Sequence, residues 1–250
     1  MNPNVELFLK YINESNDIVF FGGAGVSTES GIPDFRSKDG LYNQHDVRFE
    51  KYKPEDLLHR NCLYHNPKVF FEFYRQKMDT RGYEPNVAHR VIAKLEQMGK
   101  LNAVITQNID GLHQKAGSKN VLEIHGTTLR NYCTKCGKEH SADFIFESKD
   151  AIPRCECGGM VRPDVTMYGE QLPQNAMFDA SEAMAYADML IVAGTSLSVY
   201  PAAGLLYDLR RCNHIVLLNM DDVSVPFMGK DDLFIKGPMG ETFAELEKYL

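Results

Sequence analysis

Four cysteines crowd into one short segment of this chain. Cys133 and Cys136 form a C-x2-C pair, Cys155 and Cys157 a C-x-C pair, and 18 residues separate the pairs. Thiolates are soft ligands suited to tetrahedral zinc, and four of them leave no open coordination position. The spacing therefore predicts one structural zinc that cannot activate water. The second pair is one residue shorter than the usual C-x2-C, so its loop has to absorb the difference. A nucleic-acid-binding zinc ribbon is the competing idea. Lys135, Lys138 and Arg154 are outnumbered there by Glu139, Asp143, Glu147, Asp150 and Glu156, a poor phosphate surface. Cys62 and Cys212 stand apart and read as small hydrophobes.

A second chemical signal lies just after four apolar runs. Gly22-Gly23-Ala24-Gly25-Val26-Ser27 follows the first, Gln107-Asn108-Ile109-Asp110 the second, Gly194-Thr195-Ser196 the third and Asn219-Met220-Asp221 the fourth. Glycines let backbone approach a pyrophosphate, hydroxyls and helix N-terminal amides donate to its oxygens, and Asn219 with Asp221 suit ribose hydroxyls. Together they describe a dinucleotide site. Two departures argue against hydride-transfer chemistry. Thr28 replaces the third glycine of G-x-G-x-x-G, and Asn43-Gln44-His45-Asp46, some 20 residues on, follows no apolar strand that could present an acid to the ribose.

The runs themselves are Ile18-Val19-Phe20-Phe21, Ala103-Val104-Ile105-Thr106, Met189-Leu190-Ile191-Val192-Ala193 and Ile215-Val216-Leu217-Leu218. Their continuous hydrophobicity predicts parallel strands covered on both faces, a doubly wound, Rossmann-like α/β sheet whose strand ends converge on one edge. Asn86 caps a predicted helix carrying Val87, Val91, Leu95 and Met98, with Gly99 as its C-terminal glycine, and Pro201 opens another with Leu205, Leu206 and Leu209. Val5, Phe8, Leu9 and Ile12 share one face of the first helix. Residues 1–37, 83–131 and 164–250 read as the nucleotide-binding domain. The aromatic, charged segment 38–82 and the cysteine-bearing segment 132–163 read as insertions that form a smaller helical and zinc-binding domain.

With 250 residues, 44% hydrophobic and 24% charged, the chain has the composition of a folded enzyme or binding domain. Its 27 Lys and Arg against 34 Asp and Glu give a net charge of −7, so no global field recruits nucleic acid or an anionic membrane. The apolar runs fall far short of the roughly 18 residues of a membrane span, and the start lacks a signal-peptide pattern. A cytoplasmic protein is expected.

In order, Gly23-Ala24-Gly25-Val26-Ser27, Gly31-Ile32-Pro33-Asp34-Phe35-Arg36, Thr106-Gln107-Asn108-Ile109-Asp110, His125-Gly126, the four cysteines and Gly194-Thr195-Ser196 resemble the motif set of the bacterial-type sirtuins, NAD-dependent protein deacylases. The resemblance runs from about Ile18 to Asp221. It implies that the acyl-lysine carbonyl oxygen captures the ribose carbon as nicotinamide leaves, that the ribose 2′-hydroxyl attacks the resulting imidate, and that water releases lysine and acyl-ADP-ribose. His125 is implied as the base for the hydroxyl step, since a neutral imidazole suits proton abstraction near pH 7. Of the eight histidines, His113 is the decoy to test beside it. Asn108 and Asp110 are implied to grip the ribose and the nicotinamide carboxamide, with Ile109 and Phe35 closing that pocket's apolar side. Gly23, Ala24, Thr28, Arg36, Gln107, Thr195 and Ser196 would hold the diphosphate and riboses.

The stretch Val161-Arg162-Pro163-Asp164-Val165-Thr166-Met167-Tyr168-Gly169-Glu170 resembles the family's peptide-pairing segment. Val165, Tyr168 and Gly169 are its expected substrate contacts, with the acyl-lysine peptide added as a strand. The family usually has Phe where this chain has Tyr168. Members that prefer succinyl or malonyl lysine carry a Tyr-x-x-Arg pair. The matching stretch here is Phe73-Tyr74-Arg75-Gln76-Lys77, with Lys77 in place of the arginine, so acetyl is the expected acyl group and Lys77→Arg is expected to narrow the preference. A mono-ADP-ribosyltransferase or NAD glycohydrolase using the same pocket, and a non-catalytic NAD-sensing module, are the alternatives.

Overall fold

The computed structural model of the chain describes residues 2–35, 37, 40–43 and 46–250. Its strands are β1 (Ile18–Gly22), β2 (Leu101–Thr106), β3 (Val121–Glu123), β4 (Gly126–Cys133), β5 (Glu139–Ser141), β6 (Val161–Val165), β7 (Met189–Ala193), β8 (His214–Asn219) and β9 (Leu233–Lys236). The α-helices are α1 (Pro3–Glu14), α2 (Pro54–Leu57), α3 (Arg60–His65), α4 (Pro67–Lys77), α5 (Val87–Gln97), α6 (Leu112–Ala116), α7 (Asp143–Phe146), α8 (Gln174–Tyr186) and α9 (Met239–Leu246). None of the described helices is long and apolar enough to cross a membrane.

Six parallel strands in the order β3-β2-β1-β7-β8-β9 make the main sheet. All four apolar runs lie in its strands. Alternate residues of β1 show why the runs are continuous. Ile18 and Phe20 enter one core with Phe8 and Ile12 of α1, Val91 of α5 and Phe243 of α9. Val19 and Phe21 enter another with Met184 of α8, Leu205 and Leu206. Both faces are dry, so no polar position survives in the strand.

Local signals position these elements. The Asn86 side chain accepts the Ala88 N–H at 2.9 Å to start α5, and its amide nitrogen donates to the Val26 carbonyl at 2.8 Å, tying that helix to the loop after β1. Gly99 takes φ +72°, the left-handed ending its place in the sequence predicts. Pro201 opens a 3-10 segment, Ala202–Asp208, whose Leu205 and Leu206 are buried.

The antiparallel sheet β5-β4-β6 stands apart from the main one. A single core joins Leu63, Phe70, Phe71 and Tyr74 of α3 and α4 to Ile145, Val161 and Met167. Tyr74 stacks between Phe70 and Phe146, each with ring centroids 5.5 Å away. Arg75 fastens the two segments further, donating from Nε to the Ile145 carbonyl at 2.8 Å and from Nη2 to the Asp150 carbonyl at 2.7 Å.

Candidate active site

The chain turns from β1 to β2 on one side of the sheet and later to β7 on the other, so a crevice opens between the ends of β1 and β7. There the two loops press together. The Gly23 N–H donates to the Ala193 carbonyl at 3.1 Å and the Gly25 N–H to the Gly194 carbonyl at 2.8 Å. A Cβ on Gly23 would lie 2.7 Å from the Gly194 oxygen, and one on Gly25 2.7 Å from the Gly194 Cα. Packing of loop on loop thus demands these glycines before any ligand is considered.

A cavity of about 570 Å³ lies over this edge, within the size range of cofactor sites. Gly23, Ala24, Thr28 and Phe35 reach it from the first loop, and Gln107, Asn108 and Ile109 from the second. Thr195 and Ser196 follow β7, Asn219 and Asp221 follow β8, and Val165, Tyr168 and Gly169 close the side toward the small sheet. Arg36 lies outside the described residues. Asp110 does not line the cavity. It is buried one layer behind, where its carboxylate accepts the Ser27 hydroxyl at 2.7 Å and the Leu112 N–H at 2.9 Å. Burial raises its pKa, and those hydrogen bonds oppose the rise.

Ser27 is the residue the sequence reading left without a role. Its hydroxyl donates to Asp110 and accepts from the Asn108 amide at 3.1 Å, so one buried oxygen orients both. Around them, the Gln107 amide donates to Thr195 Oγ1 at 3.0 Å and the Asn219 amide to the Asp221 carbonyl at 2.9 Å. Leu58, Met78 and Met167 also line the cavity and make its inner side apolar. Nothing in the local sequence marks Leu58 and Met78, which belong to the insertion, whereas Met167 lies in the stretch that resembles the peptide-pairing segment and packs with them.

His125 immediately precedes β4 and faces the cavity. Its Nδ1 lies 2.9 Å from the Gln107 carbonyl. A carbonyl only accepts, so Nδ1 carries the proton and neutral Nε2 keeps its lone pair free to take another. Burial lowers the pKa of the ring, which keeps it neutral at pH 7, although the hydrogen bond to Gln107 acts the other way. His113 sits elsewhere. It is buried between Phe20 and His89, with ring centroids at 5.5 and 4.7 Å, and does not line the cavity.

The wall beyond Val165 is rigid. Arg162 grips Glu170 with two hydrogen bonds, 2.6 and 2.9 Å, and Glu170 also accepts the Met167 N–H at 3.0 Å. Arg75 is engaged with Ile145 and Asp150 and does not reach the cavity. Neither does Lys77 line it; Met78 does, and no Lys or Arg is among the described lining residues.

At the far end of β4 the four cysteine sulfurs lie within 4.8 Å of one another, with Cys133 to Cys157 at 3.4 Å and Cys136 to Cys155 at 3.8 Å. Tetrahedral zinc with bonds of about 2.3 Å places sulfurs roughly 3.8 Å apart, so the set fits that ion. The short C-x-C is absorbed by a tight turn in which the Gly158 N–H donates to the Cys155 carbonyl at 2.8 Å and Gly158 adopts φ +79°.

Comparison with known proteins agrees with this geometry. The Sir2 family profile matches residues 23–201. The chain is 48% identical to an NAD-dependent protein deacetylase of Clostridium perfringens, over 98% of this chain and 99% of that one, and 46% identical to one of Cutibacterium acnes, over 97% of each. Among solved structures, Sir2 bound to acetylated peptide superposes with a TM-score of 0.85 at 34% identity, covering 98% of both chains. A complex described as Sir2, p53 peptide and NAD+ gives 0.83 at 36% identity, covering 97% of this chain and 96% of that one. Matched along most of its length in sequence and in fold, this chain belongs to the Sir2 family, the sirtuins.

Proposed function

We propose that this sirtuin is an NAD-dependent protein lysine deacetylase, releasing nicotinamide and O-acetyl-ADP-ribose, and that its cavity residues divide the work as follows. Gly23, Ala24, Thr28, Arg36, Gln107, Thr195 and Ser196 hold the diphosphate and riboses, and Asn219 and Asp221 bond ribose hydroxyls. Asn108 faces the reacting ribose and nicotinamide, while Asp110, held behind the wall, acts by fixing Asn108 and Ser27. Ile109 and Phe35 exclude water from the apolar side, where fixed dipoles favour the cationic character that develops as nicotinamide departs. NAD supplies the leaving group and the ribose that receives the acetyl. His125 accepts the ribose hydroxyl proton on Nε2. The peptide pairs with the backbone at Val165, Tyr168 and Gly169, which the Arg162–Glu170 pair keeps in place.

The observation that carries the reading is the Nδ1 hydrogen bond of His125 to Gln107, which points a basic nitrogen into the cavity of a family whose relatives are deacetylases. Zinc in the four-cysteine site closes the smaller domain, read as residues 38–82 and 132–163, and takes no part in the chemistry. Reduced cysteines suit a cytoplasmic protein, with acyl-lysine proteins or peptides as partners and neither membrane nor nucleic acid.

Mass spectrometry of products after incubation with NAD and an acetyl-lysine peptide tests the reading. Free lysine and acetyl-ADP-ribose are expected. Protein-bound or free ADP-ribose with the acetyl group retained would instead indicate an ADP-ribosyltransferase or a glycohydrolase, and no turnover an NAD-sensing module.

A further inference from the structure

The hydroxyls of Tyr42 and Tyr168 lie 2.8 Å apart, close enough for one to donate to the other. Both residues line the cavity, Tyr42 from the loop after β1 and Tyr168 from the stretch after β6. Tyr168 is fixed by its backbone, donating to the Leu58 carbonyl and accepting from Arg60, both at 3.0 Å. Its hydroxyl therefore extends from a backbone anchored just past β6. Tyr42 closes a turn in the first loop. Its N–H donates to the Phe35 carbonyl at 3.0 Å, the neighbouring Leu41 N–H to the Asp34 carbonyl at 2.7 Å, and its ring meets the Phe35 ring edge-on at 5.4 Å. A continuous set of contacts thus runs from the stretch after β6 through two hydroxyls to Phe35.

We infer that the Tyr42–Tyr168 pair is a latch that holds Phe35 in place, so that Tyr42 and Tyr168 are positioning residues for the nicotinamide end of the co-substrate. This rests on the deacetylase reading for the identity of that end. A ring already held in place costs less binding energy to fix when NAD enters than one that is not. Tyr168→Phe removes one hydroxyl while keeping the ring, so it tests the bond alone.

The test compares wild type, Tyr168→Phe, Tyr42→Phe and the double variant. NAD binding is measured by calorimetry without peptide, and NAD KM, peptide KM, kcat and nicotinamide inhibition in steady state. Each single variant should weaken NAD binding and nicotinamide inhibition together by roughly 2- to 10-fold, the net worth of one neutral hydrogen bond. Peptide KM and kcat should change less. Because either substitution removes the same bond, the double variant should match the singles rather than their product. Unchanged NAD affinity, effects that multiply in the double variant, or an equal loss in peptide KM would overturn the latch. Absence of acetyl-ADP-ribose from the wild type would overturn the deacetylase reading alone, since the calorimetric arm needs no turnover.

Discussion

One strand separates two kinds of site. Just before β4 stands His125, with one ring nitrogen anchored and the other facing a cavity, and at the strand's last residue stands Cys133, its sulfur turned toward three other sulfurs. The first end leaves a polar atom unsatisfied in a place that a ligand can enter. The second end satisfies its ligand atoms among themselves once an ion is present. What separates turnover from stability here is whether a reactive group still has a free partner position, and burial does not decide it, because His125 is half-buried while the cysteine set runs from buried Cys133 to exposed Cys136.

The sharpest way to break this contrast is to empty the open end. His125→Ala should lower deacetylation by about 100- to 10,000-fold under saturating NAD, the usual worth of a positioned base, with little change in melting temperature or NAD affinity. His113→Ala should do the reverse. That ring fills a closed space against Phe20 and His89, so its loss should destabilise the fold while the folded fraction keeps most of its rate. More than half the wild-type rate in His125→Ala, or equal rate losses in both variants, would end the assignment.

Opening the closed end should change stability in the same decisive way. One zinc per chain is expected by metal analysis of freshly purified protein. Cys133→Ser with Cys136→Ser, or exhaustive chelation, should lower the melting temperature by roughly 10 °C or more, given several kcal/mol of metal-linked folding energy and about 2–4 °C per kcal/mol at this size. Protein without zinc, or an unmoved transition, would show that the sulfurs converge for another reason.

A smaller effect concerns the inner wall between the two ends. Acetyl-lysine peptide should exceed the succinylated peptide in kcat/KM by about 10-fold or more, since a carboxylate entering an apolar pocket without a bidentate cation forfeits a charge-assisted pair. Leu58, Met78 and Met167 provide that wall. The expectation that Lys77→Arg narrows the gap changes with the geometry. Lys77 does not line the cavity, so the substitution should leave the ratio where it is, whereas Met78→Arg should narrow it. A faster wild-type reaction on succinyl-lysine would place a cation in the pocket after all.

These three cases also mark what was legible in the sequence. Four of the main sheet's six strands could be read because two dry faces force unbroken apolar runs, and the strand-end residues could be read because parallel topology sends them to one edge. The sheet's edge strands β3 and β9, and β5 of the small sheet, could not, because three or four residues are too few to carry a period. Asp110 was legible as a candidate but not as lying behind the wall, since a motif records residue type and not depth. Ser27 follows a glycine turn and looks like ordinary turn chemistry until Asn108 and Asp110 arrive from 81 and 83 residues away. Leu58 and Met78 are ordinary core residues of an insertion, and only the packing of that insertion over the crevice gives them a role.

The smallest expected effect is read in pH and separates the open end from the closed pair once more. Burial holds His125 below its ordinary value, so its base form persists where a free imidazole of pKa about 6.5 would be half protonated. Between pH 7.5 and 6.5 a free imidazole would lose nearly half of its base form, so kcat/KM should fall by clearly less than that roughly 2-fold, with the acid limb appearing lower. His89, lowered by burial to about 4, and His113, lowered well below its ordinary value by burial and by His89 beside it, do not line the cavity over the sheet edge, so their protons bear on stability instead. For both, the folded pKa lies below the unfolded one, and the unfolded chain binds protons that the folded chain refuses. The stability they contribute is present above about pH 6.5 and drains away as pH falls toward 4. Urea unfolding across that window should show the loss, and a variant such as His89→Gln, which cannot titrate, should flatten it without moving the acid limb of the rate. A rate limb that shifts with His89 would mean that the closed pair communicates with the open site, and that the two ends are less separate than their geometry indicates.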